Sequence, residues 1–445
     1  MSVDEPTIVR ADGPLDAGSS TAGSVKARRA VIAGALGTLM EYYDYGLYGF
    51  MAVIIAPLFF PSSDPTVSLL ATLAVLGTGY VVRPLGGIFF GILGDRRGRR
   101  LALVCTVVGI SAASAAIGML PTHAQIGIFA PILLILARLV QGFSAGGELA
   151  GSATYISESA PPRRRAFYAS FNLSGLALGF ATAATTAGVV SALTTPEQMS
   201  SWGWRIPFLI AVPLGILAMW ARNKLEDTPE FREMAENDEV VKSPVREVIR
   251  KNPFEVLKVA GVSFAMNGAG NIGLIYMSVY LVKNVGFNAG SVYWLAAIVI
   301  GSVALIVPLA GTLADSWGRR PAMAIGLIGF LVLSYPVMLV MEKTSSLVVA
   351  GLAYFVFMVP WAFLQAPAMQ AFTEMFPRRY RYTGVALGFN IGTVLVGGTA
   401  PYLAAQFAEW TGNQQSAAFV VMTVCGIGLI ALLRMRETAR DKLPV

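Results

Sequence analysis

The chain is divided into apolar stretches of roughly 20 residues, and this pattern restricts its fold more than any other feature. A helix of that length crosses a hydrocarbon layer of about 30 Å. Helices also satisfy their own backbone hydrogen bonds, which lipid cannot do. Charged residues make up 13% of the chain, about half the share in soluble domains. We therefore predict an all-α integral membrane protein.

The apolar stretches predict twelve transmembrane helices. We place them at residues 30–58, 67–93, 101–120, 126–156, 166–192, 205–222, 254–283, 290–313, 321–341, 347–375, 382–405 and 416–433.

A charged stretch at 223–253 interrupts the apolar pattern and predicts a cytoplasmic linker. It separates an N-terminal six-helix bundle (26–222) from a C-terminal one (254–434). The polar residues 1–25 are expected to be disordered, and residues 435–445 to form a cytoplasmic tail.

The basic residues predict the orientation in the membrane. Most of the 33 Lys and Arg fall in connections on one side of the predicted helices, whereas the other side receives Arg205, Lys283 and Lys343. Because Lys and Arg accumulate in cytoplasmic loops, both termini are expected in the cytoplasm. The net charge of +7 then reflects membrane topology, and we expect no nucleic-acid partner.

The chain has too few cysteines and histidines for a disulfide framework or for a metal site built from these residues. The two cysteines, Cys105 and Cys425, lie in separate apolar stretches, and the single histidine, His123, lies in a short loop. This argues against a disulfide framework, a metal site and a membrane-embedded enzyme. We expect no cofactor.

Two segments of the N-terminal half recur in the C-terminal half. Residues 91–100 (GILGDRRGRR) recur at 311–320 (GTLADSWGRR), and the pattern of Glu and Arg at 158–165 recurs at 374–381. All four segments lie at predicted cytoplasmic helix ends. They indicate two parallel six-helix repeats, related by an axis along the membrane normal.

The repeated loops predict a latch between the halves. Gly98 and Gly318 permit tight turns, and Asp95 and Asp315 can accept hydrogen bonds at the N-terminus of a neighbouring helix. A simple role of the basic residues as topology anchors remains open. The candidate latch and gate residues are Gly91, Asp95, Arg96, Gly98, Arg99, Glu148, Glu158, Arg165, Asp315, Gly318, Arg319, Glu374 and Arg381.

The loop at 91–100 and its copy resemble the signature of the major facilitator superfamily. Residues 40–50 (MEYYDYGLYGF), 83–87, 141–148, 203–208 and 381–384 narrow the resemblance to the metabolite:H⁺ symporter family, which includes proline/betaine, α-ketoglutarate, citrate and shikimate carriers. The resemblance implies that superfamily's fold, with two pseudo-symmetric six-helix bundles. It also implies uptake of a small metabolite with a proton, in a monomer of the bacterial inner membrane.

Ionisable side chains inside the predicted helices are functional candidates, because a charge in lipid is costly. They are Glu41, Asp44, Arg83, Arg138 and Glu148. Asp44 and Arg138 lie at similar depth, near the membrane midplane. Our hypothesis assigns proton coupling to Asp44, Arg138 and Glu41, with Asp44 carrying the proton and Arg138 as its switchable partner. A static Asp44–Arg138 pair remains the alternative.

The roles of Arg83 and Glu148 each allow two interpretations. Arg83 binds a substrate carboxylate by a forked hydrogen bond, or it pairs with Glu148. Glu148 itself is expected to be structural or to act in gating. Tyrosines around Asp44, among them Tyr45 and Tyr48, form a cluster suited either to a quaternary ammonium group or to helix packing.

The C-terminal half supplies mainly neutral candidates for substrate binding. They are Asn267, Asn271, Trp361, Gln365 and Asn390. The glycines around Asn271 mark the seventh helix as a bending element.

These features favour a proton-coupled symporter for a carboxylate-bearing or zwitterionic metabolite, working by alternating access. A proton-coupled antiporter that exports a metabolite or drug is the alternative. The expected partners are the substrate, protons and the lipid bilayer.

Overall fold

The computed structural model describes residues 17–224, 226–227, 229–236, 243–441 and 443–444. Over these ranges the chain is almost entirely helical and contains no strand. The helices that cross the bundle are called spans here and are numbered in chain order.

The N-terminal half contains six spans. They are Ala17–Phe59, Pro65–Arg97, Arg99–Met119, Phe129–Ser159, Arg165–Leu193 and Arg205–Asn223. The fourth span is broken near its middle into Phe129–Ala145 and Glu148–Ser159, at the Gly146-Gly147 pair.

The C-terminal half repeats this arrangement. Its seventh span consists of Pro253–Asn271, a π-helical turn at Ile272–Tyr276, and Met277–Lys283. The eighth to tenth spans are Ala289–Trp317, Arg319–Lys343 and Leu347–Glu374. The eleventh consists of Arg381–Val396 and Thr399–Thr411, and the twelfth is Ser416–Leu433.

The twelve predicted helices are confirmed. Ten helices in the described part of the chain are long and apolar enough to cross a membrane by length and composition alone. The first and seventh spans bring the number to twelve. The first span carries Glu41 and Asp44, and the seventh is interrupted by its π-helical turn. That turn follows Gly268 and Gly270, where the sequence predicted a bending element.

The first span extends further towards the N-terminus than predicted. It begins at Ala17, so residues 17–25 are helical although disorder was expected; residues 1–16 lie outside the described residues. The polar composition was misleading here because extending an existing helix avoids the unfavourable nucleation step.

The two halves meet along two seams. The second span packs on the eleventh, and the fifth packs on the eighth. Glycines allow the close approach at the first seam: a β-carbon at Gly91 would lie 3.1 Å from the Thr383 Cα. At the second seam, Ser174 Oγ donates to the Ala304 carbonyl at 2.9 Å. The linker between the halves contains two short helices, Pro229–Glu236 and Pro244–Lys251.

Candidate functional site

The repeated loops form the same turn in both halves. Gly98 separates the second and third spans with φ 108°, and Gly318 separates the eighth and ninth with φ 116°. Such positive φ values are costly for any residue with a β-carbon. These turns, the ends of the fourth and tenth spans and the segment after the twelfth span lie together, and we call this side of the bundle the basic face.

The hydrogen bonds predicted for the two aspartates are present, and both cross between the halves. Asp95 accepts from the Thr383 backbone N–H at 3.0 Å and from the Thr383 hydroxyl at 2.6 Å, at the start of the eleventh span. Asp315 accepts from the N–H groups of Ala166 and Phe167, at 3.1 and 2.9 Å, at the start of the fifth span. Each carboxylate thus binds the positive end of a helix in the other half.

Ion pairs of the second repeat surround these contacts. Glu158 pairs with Arg381 of the other half at 3.0 Å and with Arg99 at 3.5 Å. In the C-terminal half, Arg319 pairs with Glu374 at 3.0 Å and with Asp315 at 2.7 Å. Arg165 is buried, whereas Arg96 is exposed.

Two acidic residues that the sequence analysis missed complete the turns. Asp227, after the sixth span, accepts from the Arg100 N–H at 3.0 Å. Glu437, after the twelfth span, accepts from the N–H groups of Arg319 and Arg320 at 2.8 and 3.0 Å. A signal for both existed, because an acidic residue followed by threonine occurs at 227–228 and again at 437–438.

The pKa of the Glu437 carboxyl reflects these hydrogen bonds. Partial burial raises the pKa of its carboxyl, but bonds from the N–H groups of Arg319, Ala439, Arg320 and Thr438 outweigh this, and the pKa lies below the ordinary value.

The C-terminal segment also reaches the contacts between the halves. The Pro444 carbonyl accepts from Arg381 Nη2 at 2.9 Å and from the Arg378 N–H at 3.1 Å. The Thr438 hydroxyl donates to Glu374 at 2.6 Å. Arg381 therefore contacts both Glu158 of the N-terminal half and the C-terminal segment.

Asp44 and Arg138 are brought together in the interior, as their depths predicted. Arg138 Nη1 lies 3.6 Å from Asp44 Oδ2, and both side chains are fully buried. Ser114 donates a hydrogen bond to Asp44 Oδ1, and Ser114 in turn accepts from Gln141 Nε2 at 2.9 Å. Among the residues that the structure describes, Asp44 Oδ2 has no hydrogen-bond partner, and its contact there is the longer one with the Arg138 guanidinium.

Arg83 pairs with Glu41, and the predicted alternative of an Arg83–Glu148 pair is wrong. Arg83 Nη2 lies 2.8 Å from Glu41 Oε1. Glu148 instead pairs with Arg222, at the end of the sixth span, and also accepts from Thr106 at 2.6 Å. Arg222 ends the sixth predicted helix and was not among the predicted buried charges, but its side chain is fully buried.

The tyrosine cluster contacts arginines in this structure. The Arg83 guanidinium carbon lies 4.4 Å from the Tyr45 ring centre and 4.7 Å from that of Tyr80. The Arg138 guanidinium carbon lies 4.3 Å from the ring centre of Tyr48 and 5.0 Å from that of Tyr45. Tyr45 is therefore shared by both arginines, and these ring faces can bind a cation.

The neutral candidates of the C-terminal half separate into two groups. Asn271 contacts the N-terminal half, donating to the Tyr80 hydroxyl at 3.2 Å. Trp361 Nε1 is buried, has no hydrogen-bond partner in the described part of the chain, and lies against Gly270, near Gln365. Asn390 and Asn267 lie elsewhere: Asn390 donates to the Gly146 carbonyl across the halves at 2.7 Å, and Asn267 donates to the Ser263 carbonyl at 2.9 Å.

The family model of the Major Facilitator Superfamily matches residues 34–389 and 260–445. A proline/betaine transporter of Salmonella typhimurium is 37% identical over 430 residues, covering 94% of this chain and 85% of that protein. A shikimate transporter of Escherichia coli is 33% identical over 419 residues, covering 93% and 96%.

Solved structures show the same fold. The proton:xylose symporter XylE bound to 6-bromo-6-deoxy-D-glucose superimposes with a TM-score of 0.78 at 16% identity, covering 95% of this chain and 98% of XylE. The family resemblance predicted from the sequence motifs is thereby confirmed. This chain belongs to the major facilitator superfamily and is a multi-pass membrane transporter rather than an enzyme.

Proposed function

We propose that the protein is a proton-coupled symporter that takes up a small carboxylate-bearing or zwitterionic metabolite. The observation that carries this proposal is the fully buried Asp44–Arg138 pair, with one Asp44 oxygen free of hydrogen bonds. An ion pair in which one carboxylate oxygen lacks a hydrogen bond is suited to exchange a proton when the two groups separate. Both terminal segments and the basic face are proposed to lie in the cytoplasm of a bacterial inner membrane.

The substrate class follows from the charges of the interior. Arg83 and Arg138 both contact the Tyr45 ring, so a carboxylate and an ammonium group can be recognised within a short distance. A substrate carboxylate would bind an arginine fork, and an ammonium group would replace a guanidinium on a ring face. The matched proline/betaine carrier supports a zwitterion, and the matched shikimate carrier supports an anion.

Transport by purified protein in liposomes tests the proposal. With the interior alkaline relative to the medium, a symporter concentrates its substrate inside, and a panel of carboxylates and betaines identifies the class. The alternative, an antiporter, would expel preloaded substrate under the same gradient.

Asp44→Asn tests the coupling residue separately. We expect loss of accumulation driven by the pH gradient, while exchange of labelled for unlabelled substrate survives. Glu41→Gln is measured beside it, since Glu41 is the other coupling candidate, lies one turn away and pairs with a different arginine. Loss of accumulation in Glu41→Gln but not in Asp44→Asn would assign the proton to Glu41. Full accumulation by Asp44→Asn would eliminate Asp44 as the proton carrier.

A further inference from the structure

We propose that a groove between the second span and the linker helix Pro244–Lys251 binds the phosphate headgroup of an anionic phospholipid. The proposal rests on the orientation given above, with the basic face in the cytoplasm, and it does not depend on the substrate or on the coupling ion.

The groove combines arginines with apolar side chains. Its volume is about 600 Å³, and it is lined by Ile92, Arg96, Ser243, Pro244, Val245, Arg246, Ile249 and Arg250. Guanidinium groups bind phosphate with paired hydrogen bonds, whereas the isoleucines and the valine offer no hydrogen bonds to a small soluble anion. The mixed lining therefore matches a ligand that has both a phosphate and an apolar part.

The groove lies where a lipid-facing stripe reaches the basic face. On the second span Val81, Leu85 and Phe89 are 62%, 62% and 52% exposed. Ile92 and Arg96 continue this stripe at helical spacing. An acyl chain lying along the stripe would consequently bring its headgroup to the groove.

The linker helix presents its arginines to this groove. Val248 and Pro244 are buried against the protein, while Ile249 is 56% exposed. The helix is fixed at its end, where the Tyr380 hydroxyl donates to Asn252 at 2.7 Å. These contacts hold the helix on the bundle without using its arginines.

The charges of Arg246 and Arg250 are not neutralised within the protein. Neither forms an ion pair or a hydrogen bond with any residue that the structure describes. The acidic residue between them, Glu247, pairs with Lys251 at 2.7 Å. Two guanidinium groups are thus available to an external anion at the level of the headgroups.

The position of the groove links the lipid to the conformational cycle. Arg96 belongs to the second span of the N-terminal half, whereas the linker helix packs against the start of the eleventh span of the C-terminal half. A headgroup bound by Arg96, Arg246 and Arg250 therefore connects both sides of one seam. It would favour the state in which the basic face is closed.

Native mass spectrometry of the purified protein, titrated with phosphatidylglycerol or phosphatidylcholine, tests the proposal. We expect Arg246→Gln/Arg250→Gln to weaken binding of phosphatidylglycerol on the order of 10-fold, with little change for phosphatidylcholine. Arg163→Gln/Arg164→Gln is the matched control, because it removes the same charge from exposed positions on the same face. If both double variants weakened phosphatidylglycerol binding equally, the effect would be due to net charge alone. That result would overturn the proposal.

Two further measurements separate a lipid from a soluble anion. Ile249→Ser keeps every charge, and we expect it to weaken phosphatidylglycerol binding several-fold while the melting temperature stays unchanged. Glycerol 3-phosphate shares the phosphate but lacks acyl chains, and we expect it not to compete at the concentrations at which the lipid binds. Competition at equal concentration would assign the groove to a soluble phosphate and contradict the lipid proposal.

Discussion

Besides the contacts of Arg99 with Asp95 and Glu158, the described part of the N-terminal half contains three buried carboxylate–arginine pairs: Glu41–Arg83, Asp44–Arg138 and Glu148–Arg222. They differ in whether both carboxylate oxygens accept hydrogen bonds. Both oxygens of Glu148 accept hydrogen bonds, from Arg222 and from neighbouring hydroxyls. One oxygen of Asp44 and one of Glu41 accept none. A fully bonded pair suits a structural role, and the two incompletely bonded pairs suit groups that change partners during transport.

This difference predicts that Glu148 and Arg222 act as a structural unit. Glu148→Leu alone leaves the Arg222 charge buried without its partner, and we expect a loss of about 3–5 kcal/mol in the free energy of unfolding. The double substitution Glu148→Leu/Arg222→Met removes both charges and should recover much of that loss. Thermal melting of four purified proteins in one detergent provides the measurement: the unmodified protein, Glu148→Leu, Arg222→Met and the double variant. Additive losses would contradict a coupled pair.

Sequence reasoning located the Asp44–Arg138 pair because both residues interrupt long apolar stretches, and their depth can be counted along a helix. Arg222 was not predicted as a buried charge, since a residue at the end of an apolar stretch can point either to solvent or back into the bundle. Sequence reasoning also proposed Arg83–Glu148, because depth alone does not say which faces of two helices meet. Which arginine pairs with which carboxylate depends on how the helices pack. The spacing of residues in one sequence does not show this packing.

At the scale of the element, each aspartate contact joins the last turn of a helix in one half to the first turn of a helix in the other. The repeated aspartates and glycines predicted the turns and their contacts. The acidic residues after the sixth and twelfth spans were missed, because the linker and tail segments show no apolar periodicity to anchor an assignment.

Gly98 should be intolerant of a side chain. At φ 108° an alanine costs about 1–2 kcal/mol in backbone strain, and its β-carbon would collide with Asp227. We expect Gly98→Ala to lower the melting temperature and the transport rate. Gly426→Ala serves as the control, since no atom of a neighbouring described element lies within 4 Å of a β-carbon there, and this variant should behave as the unmodified protein. A neutral Gly98→Ala would show that the turn relaxes without cost.

Glu437 should contribute stability that depends on pH. Its folded pKa lies below the ordinary value of 4.5, so its contribution is present above about pH 4.5 and is lost as the pH falls through the folded pKa. Because the side chain is partly exposed, we expect Glu437→Ala to cost only about 0.3–1 kcal/mol at neutral pH. Melting curves at pH 7 and near pH 3 should show this difference shrinking in acid. A difference that is equal at both pH values would exclude the carboxylate as its source.

At the scale of the whole molecule, the halves touch on both sides of the interior. On the basic face the contacts include the hydrogen bonds of Asp95 and Asp315 and the ion pair of Glu158 with Arg381. On the opposite side, the Tyr293 hydroxyl donates to the Phe50 carbonyl at 3.0 Å. Alternating access requires one set to break while the other holds, so the equilibrium between states depends on the balance of these contacts.

Breaking both latches should therefore shift the protein towards a state that is open on the basic face. Ser157 reports this opening, because it is buried behind the latches and bonds with Gln370 and Thr373 of the other half. Ser157→Cys, in a background with Cys105 and Cys425 replaced by serine and alanine, gives one buried thiol whose alkylation rate can be measured. Asp95→Asn/Asp315→Asn weakens charge-assisted hydrogen bonds of about 1.5–3 kcal/mol each, so we expect alkylation to rise 10-fold or more. Arg163→Cys, at a position that is exposed in this structure, should react at an unchanged rate. An unchanged rate at position 157 as well would mean that the aspartates do not hold the halves together.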